Sequence, residues 1–270
     1  MPAIKALIFD VFGTVVDWRG GVIRDVTQIA QARGADIDAA RFADAWRSDY
    51  RPAMDLVRQG AMPWTKLDDL HRRTLDRLLE DSGLAGLGES ERDWLNRCWH
   101  RLDPWPDVAE GIRRLKQDHV VAAFSNGNVS LLVGMAKRAG IPWDCIISAE
   151  LFRHYKPDPE IYRGAVELLS LAPSEVMLVA AHNDDLCAAA DEGLATAFVC
   201  RPGELGPSHL SNLTPAREYT CAPADLTDLA AMLGAVAARV MTLAMSSAVE
   251  PRRPSRPVCA AVNDAVTAAL

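Results

Sequence analysis

In the stretch Leu7-Ile8-Phe9-Asp10-Val11-Phe12-Gly13-Thr14 an apolar run ends on a carboxylate, and Gly13 lets the chain turn sharply behind it. A carboxylate held there, dry on one side and open to a cleft on the other, can act as a nucleophile and form an ester intermediate. The same aspartate could instead cap a turn. Its second neighbour is an aromatic ring, Phe12, and not a second acid. Three more polar groups follow later: Ser125-Asn126-Gly127-Asn128, Lys156-Pro157-Asp158 and His182-Asn183-Asp184-Asp185.

For these groups to meet, several strand ends must converge. Short apolar runs at 6–9, 120–124, 176–181 and 196–200 are each followed by a helix-like pattern, which predicts strands alternating with helices on a parallel sheet. Strands ending in Asp10, in Ser125-Asn126 and in Ala181-His182 would line up polar residues along one edge, where doubly wound folds bind their ligands. After Asn128, a candidate N-cap, Leu131, Leu132, Met135 and Ala139 share one helical face. Asp158 followed by Pro159 is a second helix start. From about Gly20 to Asp103 the pattern is helical throughout. Val22, Val26, Ile29 and Ala30 share a face there, as do Ala43, Trp46 and Tyr50, and Leu67, Leu70, Leu75 and Leu78 recur beyond them. An insertion of that length is too long for a connection. The sequence therefore predicts an α/β chain with a Rossmann-like, doubly wound parallel-sheet core of residues 1–18 and 104–234, a helical cap of 19–103 and an extension of 235–270. The Pro/Arg-rich segment Val249–Pro257 in that extension should be loop or disordered.

With 270 residues, 49% of them hydrophobic, the chain is long enough for a well-buried core. A net charge of -7, with no Lys/Arg-rich run before the tail, argues against nucleic acid or an anionic membrane as the main partner. An anionic ligand must then meet a local positive pocket. The six cysteines are dispersed, and His71, His100, His119, His154 and His209 show no metal-ligand spacing. Free thiols in a reducing compartment are expected. The N-terminus lacks the features of a secretory signal and no run approaches about 18 apolar residues, so a cytoplasmic protein is expected.

The ordered set Asp-x-x-Gly-Thr, Ser-Asn, Lys-Pro and an acidic cluster resembles the haloacid dehalogenase superfamily, over about Lys5 to Gly234. In the phosphatase majority of that superfamily the residue two after the nucleophile is an acid that protonates the leaving oxygen. A halide needs no proton, only stabilisation of its emerging charge. Phe12, in Asp-Val-Phe-Gly-Thr, therefore looks like the L-2-haloacid dehalogenase (type II) branch. That resemblance implies displacement of halide by Asp10 with inversion, then hydrolysis of the ester to a 2-hydroxy acid, with a small anionic 2-haloacid and halide as ligands and no cofactor or metal. Homodimers are common in the family.

Nucleophile and substrate are both anions, and two unit charges about 4 Å apart repel by about 4 kcal/mol at an effective dielectric of about 20. Cations are required. Lys156 would keep Asp10 ionised and offset the substrate charge, unless it is a surface lysine before a turn. Ser125 and Asn126 could donate to the substrate carboxylate or the departing halide, or be a plain strand-end pair, and Thr14 would orient Asp10. Arg47 matches by position the family's halide-receiving arginine, although Arg41, Arg51 and Arg58 nearby also suit a solvated helix face. Phe12, Trp18 and Trp46 would form a dry wall, or simply core. Tyr162 resembles a family tyrosine that contacts the lysine loop. The departure lies at the fourth motif, where Ser-Ser-Asn-x-x-Asp is usual and this chain reads Ala180-Ala181-His182-Asn183-Asp184-Asp185. Asp185 aligns with the family acid, while His182 brings an imidazole. Its usual pKa, about 6.5, suits a general base for ester hydrolysis, and a structural histidine is the alternative. A Mg²⁺-dependent phosphatase using Asp10 and Asp184-Asp185, or a non-catalytic scaffold, are the competing readings.

Overall fold

The computed structural model describes residues 3–206 and 213–235. Strand β1 (Ala6–Phe9) opens the fold, and a short strand β2 (Val16–Asp17) leads into five helices: α1 (Trp18–Arg33), α2 (Ala39–Ser48), α3 (Tyr50–Arg58), α4 (Leu67–Glu80) and α5 (Glu89–Asn96). The chain returns through β3 (Asp103–Pro104) and α6 (Val108–Leu115). It then alternates β4 (Val120–Ser125), α7 (Val129–Ala139), β5 (Cys145–Ser148), α8 (Ala149–Phe152), α9 (Pro159–Leu169), β6 (Val176–Ala180), α10 (Asn183–Asp191) and β7 (Ala195–Phe198). The main sheet is parallel, in the order β5-β4-β1-β6-β7.

All four residues of central β1 are buried, as expected of a parallel strand covered on both faces. Phe9 pairs with Ala123 on one side and Val179 on the other. This register brings three strand ends level, so Asp10, Ser125-Asn126 and Ala181-His182 leave the sheet along one edge. The doubly wound α/β architecture read from the sequence is the one observed. Edge strand β5 was not read from the sequence. Cys145-Ile146-Ile147-Ser148 runs straight into α8, too short to carry a pattern of its own, and its pairing with β4 is non-local. The runs expected to end at Ala181 and Cys200 stop at Ala180 and Phe198.

The helical stretch buries the predicted faces. Val22, Val26, Ile29 and Ala30 of α1 are inside, as are Ala43 and Trp46, and Leu67, Leu70 and Leu75, whereas Leu78 is half-buried. Asp17 caps α1 by accepting from Gly20 N at 2.8 Å, and Gly34 ends it at φ 62°. Antiparallel pairing of Val16 with Pro104 joins the entrance of the stretch to its exit. At the N-cap of α7, Asn128 holds Asp68 with its side chain, and Glu150 Oε2 accepts from Val129 N at 2.9 Å in its stead. Asp158 stands at the N-cap of α9 without a capping bond and instead accepts from Arg58 Nε at 2.8 Å.

Residues up to Met232 form one compact unit, and of the second, Leu233–Leu270, residues 233–235 are described and helical. The expected loop or disorder at 249–257 lies outside the described residues. Among the described residues no helix is long and apolar enough to cross a membrane, and Cys98, Cys145, Cys187, Cys200 and Cys221 are unpaired thiols.

Candidate active site

Asp10 sits one residue beyond β1, where the turn behind it is pinned from two sides. Trp105 Nε1 donates to Gly13 O at 2.8 Å and Arg201 Nε to Thr14 O at 2.9 Å. Arg201 is itself fixed by a two-pronged, largely buried pair with Asp107 at 2.7 and 2.9 Å. Thr14 Oγ1 accepts from Ala181 N at 2.9 Å, so its one hydrogen is left for Asp10 Oδ2, 2.7 Å away. The Thr14 hydroxyl is therefore a direct hydrogen-bond donor to the Asp10 carboxylate.

Lys156 Nζ lies between two carboxylates, 3.2 Å from Asp10 Oδ1 and 2.7 Å from Asp185 Oδ2, with the Phe124 ring 4.3 Å beneath it. Asn126 Oδ1 accepts from Lys156 N at 2.8 Å and so ties the lysine loop to the end of β4. Tyr162 donates to Asp185 Oδ1 at 2.6 Å. Burial would raise the Asp10 pKa, yet the Lys156 charge and the hydrogen bonds from His182 and Thr14 outweigh it, holding the carboxyl well below its usual value. Asp185 is raised by burial and by the Asp10 charge despite Lys156. Burial opposes the charge of Lys156, but the two carboxylates more than offset it and raise its pKa.

The cleft above Asp10 encloses about 510 Å³. Asp10, Phe12, Arg47, Asn126, Lys156, His182 and Asp185 all reach it, brought together from both halves of the sequence. The Arg47 guanidinium lies 4.0 Å from the Tyr50 ring centroid and 5.1 Å from that of Trp18, and its buried Nη1 has no hydrogen-bond partner. A cation clamped between aromatic faces with a spare N–H is an anion receptor in search of its ligand. Phe12 packs edge-on against Trp99 at 5.8 Å and Tyr50 at 6.4 Å, so no carboxyl stands at position 12 to protonate a leaving group.

Five expected site residues stand behind the wall and not on it. Thr14 and Tyr162 act through Asp10 and Asp185. Trp18 lies under Arg47 and donates to Glu204 at 3.2 Å. Ser125 is fully buried, and its Oγ accepts from Gly127 N at 3.1 Å, which corrects its expected place as a substrate donor. Trp46 is likewise core, its Nε1 donating to His71 O at 3.0 Å.

His182 departs most from expectation. Its Nδ1 is 3.0 Å from Asp10 Oδ2 and its Nε2 2.8 Å from Glu204 Oε1. Burial would favour the neutral ring, but the Glu204 and Asp10 carboxylates raise its pKa well above the ordinary value. With both nitrogens committed and the ring charged, it has no lone pair with which to take a proton from water in this state. The general-base role expected for it is corrected on that ground.

The sequence reading missed Glu204, and it placed Tyr50 on a helical face without assigning it to the site. Both left a signal: Glu204 lies in the Pro/Gly loop after a parallel strand, on the same sheet edge as Asp10, and Tyr50 is one helical turn beyond Arg47. The rival cation site is not assembled. Among the described residues, His154, Asp158 and Glu160 lie close enough to share an ion, and Asp10, Asp184 and Asp185 do not form such a group. Asp184 pairs with Arg51 at the cleft rim, and the Lys156 ammonium stands between the other two.

Comparison with known proteins agrees with this geometry. A family model for haloacid dehalogenase-like hydrolases matches residues 4–191. The (S)-2-haloacid dehalogenase 4A of Burkholderia cepacia is 31% identical over 210 residues, covering 75% of this chain and 86% of that relative. Among solved structures, the L-2-haloacid dehalogenase PA0810 superposes with a TM-score of 0.84 at 46% identity, over 86% of this chain and all of that one (100%). The defluorinating L-2-haloacid dehalogenase Rha0230 gives 0.84 at 47%, over 86% and 95%. With its aspartate-bearing strand edge, its lysine-bridged carboxylates and these relatives, the chain belongs to the haloacid dehalogenase-like hydrolase family.

Proposed function

We propose that this protein hydrolyses the carbon–halogen bond of short (S)-2-haloalkanoic acids, giving 2-hydroxy acids of inverted configuration through an ester on Asp10. The observation that carries this reading is the buried, unpartnered Nη1 of Arg47 in the same cleft as an ionised Asp10, with Phe12 where an oxygen leaving group would need an acid.

In this reading an Asp10 oxygen attacks the α-carbon from the side opposite the halogen. The C–X bond breaks, and its electron pair leaves as halide toward Arg47, whose charge stabilises it without proton transfer. Asn126 and Lys156 bind the substrate carboxylate. Water then attacks the carboxyl carbon of the ester, with Asp185 as the proton acceptor, since a carboxylate holding two hydrogen bonds still has lone pairs to offer. The expelled alkoxide recovers that proton as the 2-hydroxy acid. The helices of 19–103 act as a cap over a core of 1–18 and 104–234, and the expected cytoplasmic setting and homodimer belong to the same reading.

The test is halide release from the separate enantiomers of 2-chloropropionate. Chloride and (R)-lactate from the (S) enantiomer alone, with one ¹⁸O from labelled water entering Asp10 in a single turnover, are expected. Label going directly into lactate would overturn the ester route, and no chloride at all would overturn the activity.

A further inference from the structure

The two oxygens of Asp10 are held differently. Oδ1 receives one hydrogen bond, from Lys156 Nζ at 3.2 Å, whereas Oδ2 receives two, from Thr14 Oγ1 at 2.7 Å and His182 Nδ1 at 3.0 Å. A carboxylate oxygen has two in-plane lone pairs. Oδ2 has spent both, and Oδ1 keeps one free, so Oδ1 is the atom able to bond to carbon and Oδ2 becomes the carbonyl oxygen of the ester.

We propose that Thr14 Oγ1 and His182 Nδ1 form an oxyanion hole for hydrolysis of the Asp10 ester, and that Glu204 is the positioning residue that aims the His182 ring at Oδ2. The inference rests on the dehalogenation reading above and goes beyond it. When water adds to the carboxyl carbon, the C=O π pair moves onto Oδ2 and the water proton passes to Asp185. The pair returns as the Cγ–Oδ1 bond breaks, the alkoxide takes the proton from Asp185, and Asp10, now carrying the water oxygen, releases the remaining water proton to solvent and is a carboxylate again. The charge grows on the oxygen that already has two fixed donors, where preorganised hydrogen bonds act most strongly.

Glu204 is built for this task. It is buried, accepts from His182 Nε2 at 2.8 Å and from Trp18 Nε1 at 3.2 Å, and occupies the space that a side chain at position 13 would need. Once Asp10 becomes a neutral ester it no longer helps to keep the imidazole charged, and Glu204 alone remains as counter-ion. The other charged groups around the ring are Asp10 from the end of β1, Lys156 from the loop before α9, Asp184 and Asp185 on α10, and Arg47 and Arg51 from the helices above. Glu204 and Asp10 are the two that touch it. Their charges place its pKa above neutrality, opposite to what a resting general base requires.

Single-turnover quench experiments with (S)-2-chloropropionate separate the two half-reactions: chloride reports ester formation, and intact mass reports decay of the adduct on Asp10. In the wild type, adduct decay between about pH 6 and about pH 9 should fall off less than in Glu204→Gln, since the Glu204 carboxylate favours the charged ring. In Glu204→Gln, decay should slow as pH rises over that range, because the ring now loses its proton within it. His182→Ala should slow decay by about 10²-fold at every pH, the usual loss for one oxyanion donor. A general-base histidine gives the opposite sign, with decay in Glu204→Gln accelerating as pH rises, and that result overturns the proposal. So does unchanged decay in His182→Ala. If Glu204→Gln gives no chloride burst because it does not fold, Thr14→Ala, which removes the other donor, must slow the same step. A wild type that yields neither chloride nor adduct defeats the dehalogenation reading itself, and this inference with it.

Discussion

The reactivity of Asp10 is set by three neighbours from three other places in the chain. Lys156, His182 and Thr14 together overcome a burial that would otherwise protonate it. A group whose pKa is depressed stays ionised down to that lower value. The chloride burst should therefore show no loss of rate as pH falls from neutrality to about 4.5, where an unshifted aspartate near 3.8 would begin to titrate. Rapid-quench chloride measurement across that range checks this. Arg47 makes a different contribution. Its guanidinium packs on the aromatic faces of Tyr50 and Trp18 and has a buried N–H without a partner, so it gains most when charge appears on the leaving group. Arg47→Ala should lower kcat for chloride release by about 10²- to 10³-fold, with a smaller effect on KM. A change confined to KM would mean that Arg47 binds substrate and transition state alike.

At the level of elements, the tight turn after β1 and the loop after β7 depend on each other. Gly13 has φ 87°, and a Cβ there would lie 2.1 Å from Glu204 Oε1. Gly13→Ala must accept left-handed backbone strain and also push the Glu204 carboxylate off His182, at a cost of about 1–3 kcal/mol. Urea unfolding should register that loss, and adduct decay should slow alongside it as His182 loses its support. Stability lost without any change in decay would separate the turn from the chemistry. Above the cleft, α3 is held to the start of α9 by Arg58–Asp158 at 2.8 Å and to the first turn of α10 by Arg51–Asp184. Such part-exposed pairs contribute about 1 kcal/mol or less each, so closure over the site relies chiefly on the packed aromatic cluster of Phe12, Trp18, Trp46 and Trp99.

Over the whole molecule a net charge of -7 surrounds a cleft fitted with Arg47, Lys156 and a charged His182. Inside it, Asp10, Asp185 and Glu204 balance those three cations, so a bound haloacid leaves the pocket with a single net negative charge. Lys156 already supplies a positive charge between Asp10 and Asp185, and a leaving halide needs no proton or metal. Chloride release should accordingly be the same in EDTA as in added Mg²⁺, measured by initial rates. A rate that falls with chelator and returns with Mg²⁺ would show that the lysine is displaced during turnover.

The sequence alone determined the alternating α/β order and which strand ends would bring Asp10, Lys156 and Asp185 to one cleft, because apolar runs, turn residues and short motifs are local signals. Phe12 carried the distinction between halide and oxygen leaving groups, since one side chain decides whether a proton donor stands there. Whether Ser125 faces the cleft, which strand fills the sheet edge at Cys145–Ser148, and that Tyr50 clamps Arg47 were decided only in three dimensions. The role of His182 shows why. An isolated histidine near pKa 6.5 reads as a base, and only its contact with Glu204, 22 positions away, makes it a fixed cation. Protonation depends on the charges that surround a group in space, and spacing along the chain does not record them.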